Sequence, residues 1–228
     1  MIVVIGSPLH LPGSDDRPSA AAGLAVGIAA AAAALDHEVQ LVGRVGEDPA
    51  GDATMLALAR SGIGHVAMLR DAAHPTAAVA PGSDEADDPA ALADQAVAEE
   101  VAGNRAGSTG IGPPGTATLD RDDVELALRY LGGPSVIVVA EPLDPAALDV
   151  VYEATAYAGA SLVQLVGDDV VPSPVPGGAI VLGAPSDDPD GIFARTVGEF
   201  AAALDAGTDP SSALASAVTA LGWEPAEA

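Results

Sequence analysis

The chain has 228 residues, 49% of them apolar, which is enough to bury a sizeable core as a single domain spanning 1–228. It has no cysteine and its eight basic residues are all arginine, so disulfides, cysteine-ligated zinc, Schiff-base lysines and the P-loop lysine are excluded. The net charge of −25 repels nucleic acid and anionic membranes, and we expect neither as a partner.

Apolar runs alternate with helical patterns from one end of the chain to the other. The predicted strands are Ile2–Gly6, Glu38–Gly43, Ile63–Leu69, Thr76–Ala80, Ser135–Ala140, Ser161–Val166 and Ala179–Leu182. Helical spacing of apolar residues predicts helices over 19–35, 49–61, 90–102, 121–131, 144–158, 191–205 and 211–222. Because most strands lack polar alternation, the pattern predicts an α/β fold with three layers, a doubly wound, mostly parallel sheet covered by helices on both faces.

Glycine and proline mark several helix ends. Gly62 and Gly207 follow two predicted helices in the position that favours a left-handed residue, and Asp144 before Pro145 is typical of a helix start. The stretches 82–88 and 103–118 show no periodicity, and we predict a small lid around 76–118.

The uncharged segment Ser19–Leu35 is the only stretch that resembles a membrane span. It is mostly alanine, slightly shorter than the roughly 20 residues that a span requires, and flanked by acidic residues. No cationic segment followed by an apolar core stands at the N-terminus. We therefore expect a cytoplasmic protein.

The four histidines are isolated in sequence, and no cysteine accompanies them; they are His10, His37, His65 and His74. Zinc sites need several such ligands, so we predict no metal site. A G-x-S-x-G nucleophile elbow is also absent from the sequence.

The most informative segment starts at Ala22-Gly23, continues through an alanine-rich helix and a strand, and ends in a glycine-rich loop over residues 43–51. Glycines in that loop permit a tight crossover at the carboxyl end of a strand, where open α/β sheets bind ligands. A purely structural interpretation is equally consistent with the sequence, with Asp48 capping a helix whose first residue is Pro49.

This order resembles the first signature region of ribokinase-like (PfkB-type) carbohydrate kinases, in which a glycine turn opens an alanine-rich helix and G-x-V-G-x-D-x-x-G follows. The later Pro75-Thr76 matches the family's next strand entry. The resemblance implies a sugar or nucleoside-like ligand, ATP and Mg²⁺ as cofactors of an active member, and a homodimer formed through a strand-rich lid near 76–80. The implied substrate-binding residues are Gly23, Gly43, Gly46, Asp48 and Gly51.

Residues 188–194 are similar in position to the family's second signature, D-T-x-G-A-G-D. Asp188 and Gly191 match it, which implies a role near the anion or nucleotide. Phe193 replaces the second glycine, however, and Ala194 replaces the aspartate that would accept the proton of the substrate hydroxyl. Asp190 is either a displaced catalytic base or a helix cap.

Other positions depart from the family in the same direction. Gly27 stands where the family has its substrate-binding asparagine, and a deletion relative to the family falls between Val166 and Asp188. We identify the chain as a shortened, divergent member and expect impaired or absent catalysis, with metabolite or partner binding as its function. The alternatives are an active ATP-dependent kinase and an unrelated α/β domain.

Overall fold

The computed structural model describes residues 1–14, 17–79, 119–167, 175–186, 188 and 190–220. The strands are β1 (Ile2–Ile5), β2 (Leu9–Leu11), β3 (Ala20–Ala22), β4 (Val39–Gly46), β5 (Met68–Asp71), β6 (Val136–Val139), β7 (Ser161–Gly167) and β8 (Ile180–Ala184). The helices are α1 (Leu24–Ala33), α2 (Pro49–Arg60), α3 (Arg121–Tyr130), α4 (Pro145–Ala158), α5 (Ile192–Asp205) and α6 (Pro210–Ala220).

Six of the strands form one parallel sheet in the order β5-β4-β1-β6-β7-β8. The chain leaves β1 toward β4 and β5, and later returns to the other side of β1 to add β6, β7 and β8. The strand order therefore reverses between β1 and β6, and this crevice is where open α/β sheets bind their ligands.

Side chains of the central strand β1 alternate between two buried layers. Ile2 and Val4 pack into a core shared with α1, α5 and α6, whereas Val3 and Ile5 pack into a second core shared with α3 and α4. All four are fully buried. The sheet is thus covered by helices on both faces, which confirms the predicted fold class.

Two of the predicted strands do not form as predicted. The strand predicted over Ile63–Leu69 lies instead at Met68–Asp71, and Gly64 makes only an isolated bridge to Gln40. The strand predicted over Thr76–Ala80 is absent from the described residues 76–79, where Ala78 makes a single bridge to His10.

The first helix begins later than its sequence pattern indicates. The helix predicted over 19–35 spans Leu24–Ala33, because Ala20–Ala22 pairs with Leu9–Leu11 as an antiparallel hairpin that the sequence did not reveal. Gly23 ends the hairpin with a φ of 100°, a conformation that favours glycine. Alanine is the strongest helix former and is depleted in strands, so the alanines at 20–22 gave the signal of a helix where the structure has a strand.

The helix ends predicted at Gly62, Asp144 and Gly207 are confirmed. The carboxylate of Asp144 accepts a hydrogen bond from the N–H of Ala147 (2.8 Å), with Pro145 at the first helical position. Gly62 and Gly207 follow α2 and α5 with φ of 71° and 85°.

The helix predicted over 90–102 and most of the lid around 76–118 lie outside the described residues, as does the end of the helix predicted over 211–222. Among the described residues, no helix is long and apolar enough to cross a membrane.

Candidate functional site

Two polar residues meet at the crevice where the strand order reverses. Ser7 follows β1 and Glu141 follows β6, and the Ser7 N–H donates to Oε2 of Glu141 (2.9 Å). The Ser7 hydroxyl lies 3.5 Å from Oε1 of the same carboxyl group. Burial of this group raises the pKa of Glu141, and the hydrogen bonds from Ser7 offset that effect only in part. The crevice therefore contains a carboxyl group that water solvates poorly.

Glu141 was not among the residues singled out in the sequence. The available signal was its position, because a charged residue stands two positions after the buried strand Val136–Val139. A charge at that point must lie at the carboxyl edge of a parallel sheet. Recognising it as part of a site required knowing that β6 lies beside β1. The sequence of one buried strand does not show which strands lie next to it.

Small residues bring the start of α1 close to this carboxyl group. A Cβ added at Gly6 would lie 2.8 Å from the Cβ of Ala25, 3.5 Å from that of Ala140 and 3.8 Å from Cγ of Glu141. Gly6 thus occupies a point where β1, β6 and α1 converge. A Cβ there would collide with Ala25 of α1, so the close approach of α1 to β1 requires this glycine.

The N-terminus of α5, predicted to be an anion site, is filled by a side chain of the same chain. Asp188 accepts hydrogen bonds from the N–H of Phe193 to Oδ1 (3.0 Å) and from the N–H of Ala194 to Oδ2 (2.9 Å). Gly191 is left-handed (φ 63°) and its N–H bonds to the Asp188 carbonyl. The carboxylate thus takes two of the helix donors that would otherwise face an anionic ligand.

Ala194 lies inside the core and not at a site surface. Its exposed fraction is 5%, and a Cβ added at Gly27 of α1 would lie 2.8 Å from the Ala194 Cβ. One turn further, a Cβ at Gly198 would lie 2.6 Å from both the Cβ of Ala31 and the carbonyl oxygen of Ile28. The two helices therefore cross in contact, and Gly27 and Ala194 are the positions that the sequence resemblance aligns with the family's substrate asparagine and catalytic aspartate.

The glycine-rich loop is held together by Asp48. This residue caps α2 by accepting a hydrogen bond from the Gly51 N–H (2.7 Å), and it accepts two more from the N–H (2.8 Å) and the hydroxyl (2.7 Å) of Thr76. Burial would raise the pKa of Asp48, but these hydrogen bonds outweigh it and lower the pKa. The Thr76 hydroxyl also accepts from the Gly46 N–H (2.9 Å), so Thr76 contacts the loop at both Gly46 and Asp48.

The glycines of the loop are explained by close backbone contacts. A Cβ at Gly46 would lie 2.7 Å from the Thr76 nitrogen, one at Gly51 would lie 2.3 Å from the Gly46 carbonyl oxygen, and one at Gly43 would lie 2.7 Å from the Gly6 carbonyl oxygen. None of the three could carry a side chain without movement of the backbone. These contacts support the structural interpretation of the motif.

Arg44 contacts Ser7 through its backbone, and its side-chain charge is paired. Its backbone N–H lies 3.4 Å from the Ser7 hydroxyl, while its guanidinium bonds to Asp71 (3.1 Å) and to Asp123. Burial lowers the pKa of Arg44, but the hydrogen bond and the charge of Asp123 more than offset this and raise it. Arg44 therefore links β4 to β5 and α3.

The residues predicted as site residues fall into separate groups. Gly46, Asp48 and Gly51 form one cluster, and Asp188 and Gly191 form another at α5; no direct hydrogen bond between described residues joins the two clusters. Asp190 is exposed. Within the described parts of the chain, no group of three or more potential metal ligands occurs.

No family model and no curated protein matches this chain. Solved structures do match it. The crystal structure of a protein named Sa239 aligns over 100% of this chain and 95% of that one, with 12% identity and a TM-score of 0.62. Arabidopsis thaliana ribokinase complexed with ribose and ATP aligns over 96% and 90%, with 16% identity and a TM-score of 0.59. A putative ribokinase II from E. coli, in its apo form, aligns over 95% and 90%, with 13% identity and a TM-score of 0.61.

The chain has the ribokinase-like fold. In each comparison the matched region takes in a larger share of this chain than of the other protein, so this ribokinase-like chain is the shorter one, as its sequence indicates. The identities are low, and the likeness therefore extends to the fold and not to individual site residues.

Proposed function

We propose that this chain is a non-catalytic ribokinase-fold protein that binds a small metabolite in the crevice between β1 and β6. The observation that carries the proposal is the burial of Ala194 against Gly27. A general base must come within hydrogen-bond reach of the hydroxyl that it deprotonates, and alanine has no group to do so. The closeness of the two helices leaves no room for a substrate at this point.

The pairing of the groups that could bind a phosphate supports the same proposal. Phosphoryl transfer needs donors or cations that stabilise the charge on the transferring group. Here the N–H groups of Phe193 and Ala194 bond to Asp188, and the guanidinium of Arg44 is paired with two aspartates. The sequence contains no lysine that could replace them.

Metabolite binding is supported by the position of Ser7 and Glu141. They lie at the carboxyl edge of the sheet where the strand order reverses, which is the usual ligand position of open α/β sheets. A poorly solvated carboxyl group in a crevice is also a common mark of a functional site.

Thermal unfolding and calorimetric titration test this proposal. A ligand that binds only the folded protein raises its melting temperature. We expect MgATP at millimolar concentration to leave the melting temperature unchanged, whereas at least one member of a panel of neutral and charged metabolites raises it. That increase should be lost in Glu141→Gln and retained in Glu153→Gln, which changes an exposed glutamate on α4. Low-micromolar binding of MgATP would contradict the proposal.

The second candidate is an active ATP-dependent kinase of a small sugar or nucleoside, with Mg²⁺. It is favoured by the exposure of Asp190 directly before Gly191, where a displaced base would have access to solvent. Its test is a phosphoryl-transfer assay with ATP and a panel of hydroxylated acceptors. Turnover that is abolished by Asp190→Asn but not by Glu199→Gln would establish this candidate and exclude the first.

The homodimer stays a prediction. Multi-angle light scattering of the purified chain gives its mass in solution directly. A monomeric mass at micromolar concentration would contradict the dimer without affecting the binding proposal.

A further inference from the structure

Residues 74–79, called the strap below, join the glycine-rich loop to the hairpin of β2 and β3. The strap is bound to the loop through Thr76, by the three hydrogen bonds described above. It is bound to β2 by its backbone, because the N–H of His10 donates to the Ala77 carbonyl (2.7 Å) and the Val79 N–H donates to the His10 carbonyl (2.9 Å). The strap therefore connects two elements that are separate in sequence.

The hairpin that the strap holds lies next to the crevice. Its first strand begins two residues after Ser7, and its second strand leads into α1. Both strands contact α2, where Nδ1 of His10 lies 3.3 Å from the Thr54 hydroxyl. Because the strap pairs with β2 by backbone hydrogen bonds, its release would loosen the hairpin beside the crevice.

The strap begins at a histidine that contacts a cluster of charges. Nδ1 of His74 lies 2.9 Å from Oδ2 of Asp71, the last residue of β5. The same carboxylate binds Arg44 of β4 (3.1 Å), whose guanidinium also binds Asp123 of α3. Asp120, which caps α3, adds a third negative charge near Arg44. Three carboxylates thus surround one arginine, so this cluster is negatively charged until His74 takes up a proton.

Histidine changes its charge between about pH 5 and 8, whereas the carboxylates that anchor the strap do not. The hydrogen bond from His74 lowers the pKa of Asp71, and the hydrogen bonds of Asp48 outweigh its burial and lower its pKa as well. Both carboxylates are therefore ionised throughout this interval. A protonated His74 gains a charge-assisted hydrogen bond to Asp71, which is stronger than the bond from a neutral ring.

We propose that the strap is a pH-sensitive device, in which protonation of His74 strengthens its contact with Asp71 and closes the strap on the glycine-rich loop and β2. Loss of the proton lets the strap open more often. The hairpin beside the crevice is then held more firmly in mild acid than at alkaline pH. The sign follows from the charges, because the added proton offsets the negative excess of the cluster. It does not depend on whether the crevice binds a metabolite.

Amide hydrogen exchange of Thr76 and Val79, followed by NMR, measures the opening of the strap, since both N–H groups hydrogen-bond across it. Rates are measured from pH 8 to 5.5 and divided by the intrinsic rate at each pH, which leaves the opening constant. We expect this constant to fall about two- to fivefold toward acid, the effect of one partly exposed ion pair.

Three variants assign the effect. His74→Gln should remove the pH dependence, and His65→Gln should keep it, because the ring of His65 contacts the Ile63 carbonyl (3.1 Å) and no carboxylate among the described residues. His74→Arg carries its charge at every pH. It should hold the strap at pH 8 as firmly as the natural protein does at pH 5.5, and it serves if the glutamine variant does not fold.

Two results would overturn the proposal. A pH dependence that survives His74→Gln would assign the titration to another group, such as His10 at the far end of the strap or Glu141 at the crevice. Exchange of Val79 only through global unfolding, with the opening constant of the Ala140 amide in the central sheet, would show that the strap does not open by itself.

Discussion

The loop over residues 43–51 and the segment over residues 188–194 differ in how much of the family motif each retains. The loop keeps every glycine and the aspartate of its motif, and the segment keeps only two of its motif positions. In both, however, an aspartate carboxylate is bound by backbone N–H groups of its own chain: Asp48 by Gly51 and Thr76, and Asp188 by Phe193 and Ala194.

The difference shows which parts of a motif are architectural. In the loop, the glycines are fixed by backbone contacts below 3 Å, so they persist for reasons of packing whether or not a ligand binds. In the segment, Ala194 faces a helix and could be replaced by any residue small enough to fit beside Gly27. An intact loop motif is therefore weak evidence for catalytic activity. The residues at 188–194 are better evidence for or against it.

The largest effect is expected from Ala194→Asp, which restores the family's catalytic residue type. The new carboxylate would be buried against Gly27 without a cationic partner, and an uncompensated buried charge costs about 3–5 kcal/mol. We expect the free energy of unfolding, measured with urea, to fall by this amount and no kinase activity to appear.

Ala215→Asp is the matched control, because Ala215 is exposed on α6. It should change stability by less than about 1 kcal/mol. An Ala194→Asp protein as stable as this control would mean that α1 and α5 separate easily, and the region would then be an open site.

Asp48→Ala is expected to have the next largest effect. It removes a helix cap and leaves the N–H and hydroxyl of Thr76 without their acceptor, which together cost about 2–3 kcal/mol. Asp144→Ala provides the comparison, since Asp144 also precedes a proline and caps a helix but bonds only to Ala147. It should cost about 1 kcal/mol. Equal losses in urea unfolding would show that the contact with Thr76 contributes nothing.

Asp188→Ala should cost about 0.5–2 kcal/mol, the usual range for the loss of a helix cap. The freed N–H groups of Phe193 and Ala194 then form a helix N-terminus that can bind an anion. Sulfate should therefore raise the melting temperature of the variant more than that of the natural protein, with sodium chloride at equal ionic strength as the reference. An equal response to sulfate would mean that Asp188 does not fill the helix end.

The sheet could be predicted from the sequence because its central strands are runs of Val and Ile that bury both faces. The edge strand β5 could not be placed, since it ends in Arg70 and Asp71, whose charges are matched by Asp52 and Arg44 on other elements. Such pairing becomes visible only when the strand order is known. The same applies to the hairpin at β2 and β3, where three alanines give no periodic signal.

The arrangement of the candidate site could be read from the sequence only in part, for a similar reason. That alanine stands at position 194, where the resemblance places the family's aspartate, could be read from the sequence. The bonding of the Asp188 carboxylate to α5 could not, because an acidic residue near a helix start is compatible with a cap or with a ligand site. Glu141 and Ser7 are 134 positions apart in sequence, and only the parallel pairing of β1 and β6 brings them together.

The smallest effect concerns pH. The pKa of Asp48 is lowered in the folded protein from 3.8, because the hydrogen bonds from Thr76 and Gly51 outweigh burial. A folded-state pKa below the unfolded value means that the ionised carboxylate stabilises the fold above about pH 4, and that this contribution is lost as the pH falls through the folded pKa. The stability difference between the natural protein and Asp48→Asn should thus be constant from pH 7 to 5 and shrink below pH 4.

Asp205 gives an internal reference at the opposite edge of the sheet, where hydrogen bonds from the Met1 amino group, Ser135 and His37 outweigh burial and lower its pKa to about 2. The difference for Asp205→Asn should persist further into acid, toward pH 2. A difference for Asp48→Asn that is independent of pH down to 2 would show that the loop does not depend on the charge of Asp48, and that the glycine contacts alone hold it.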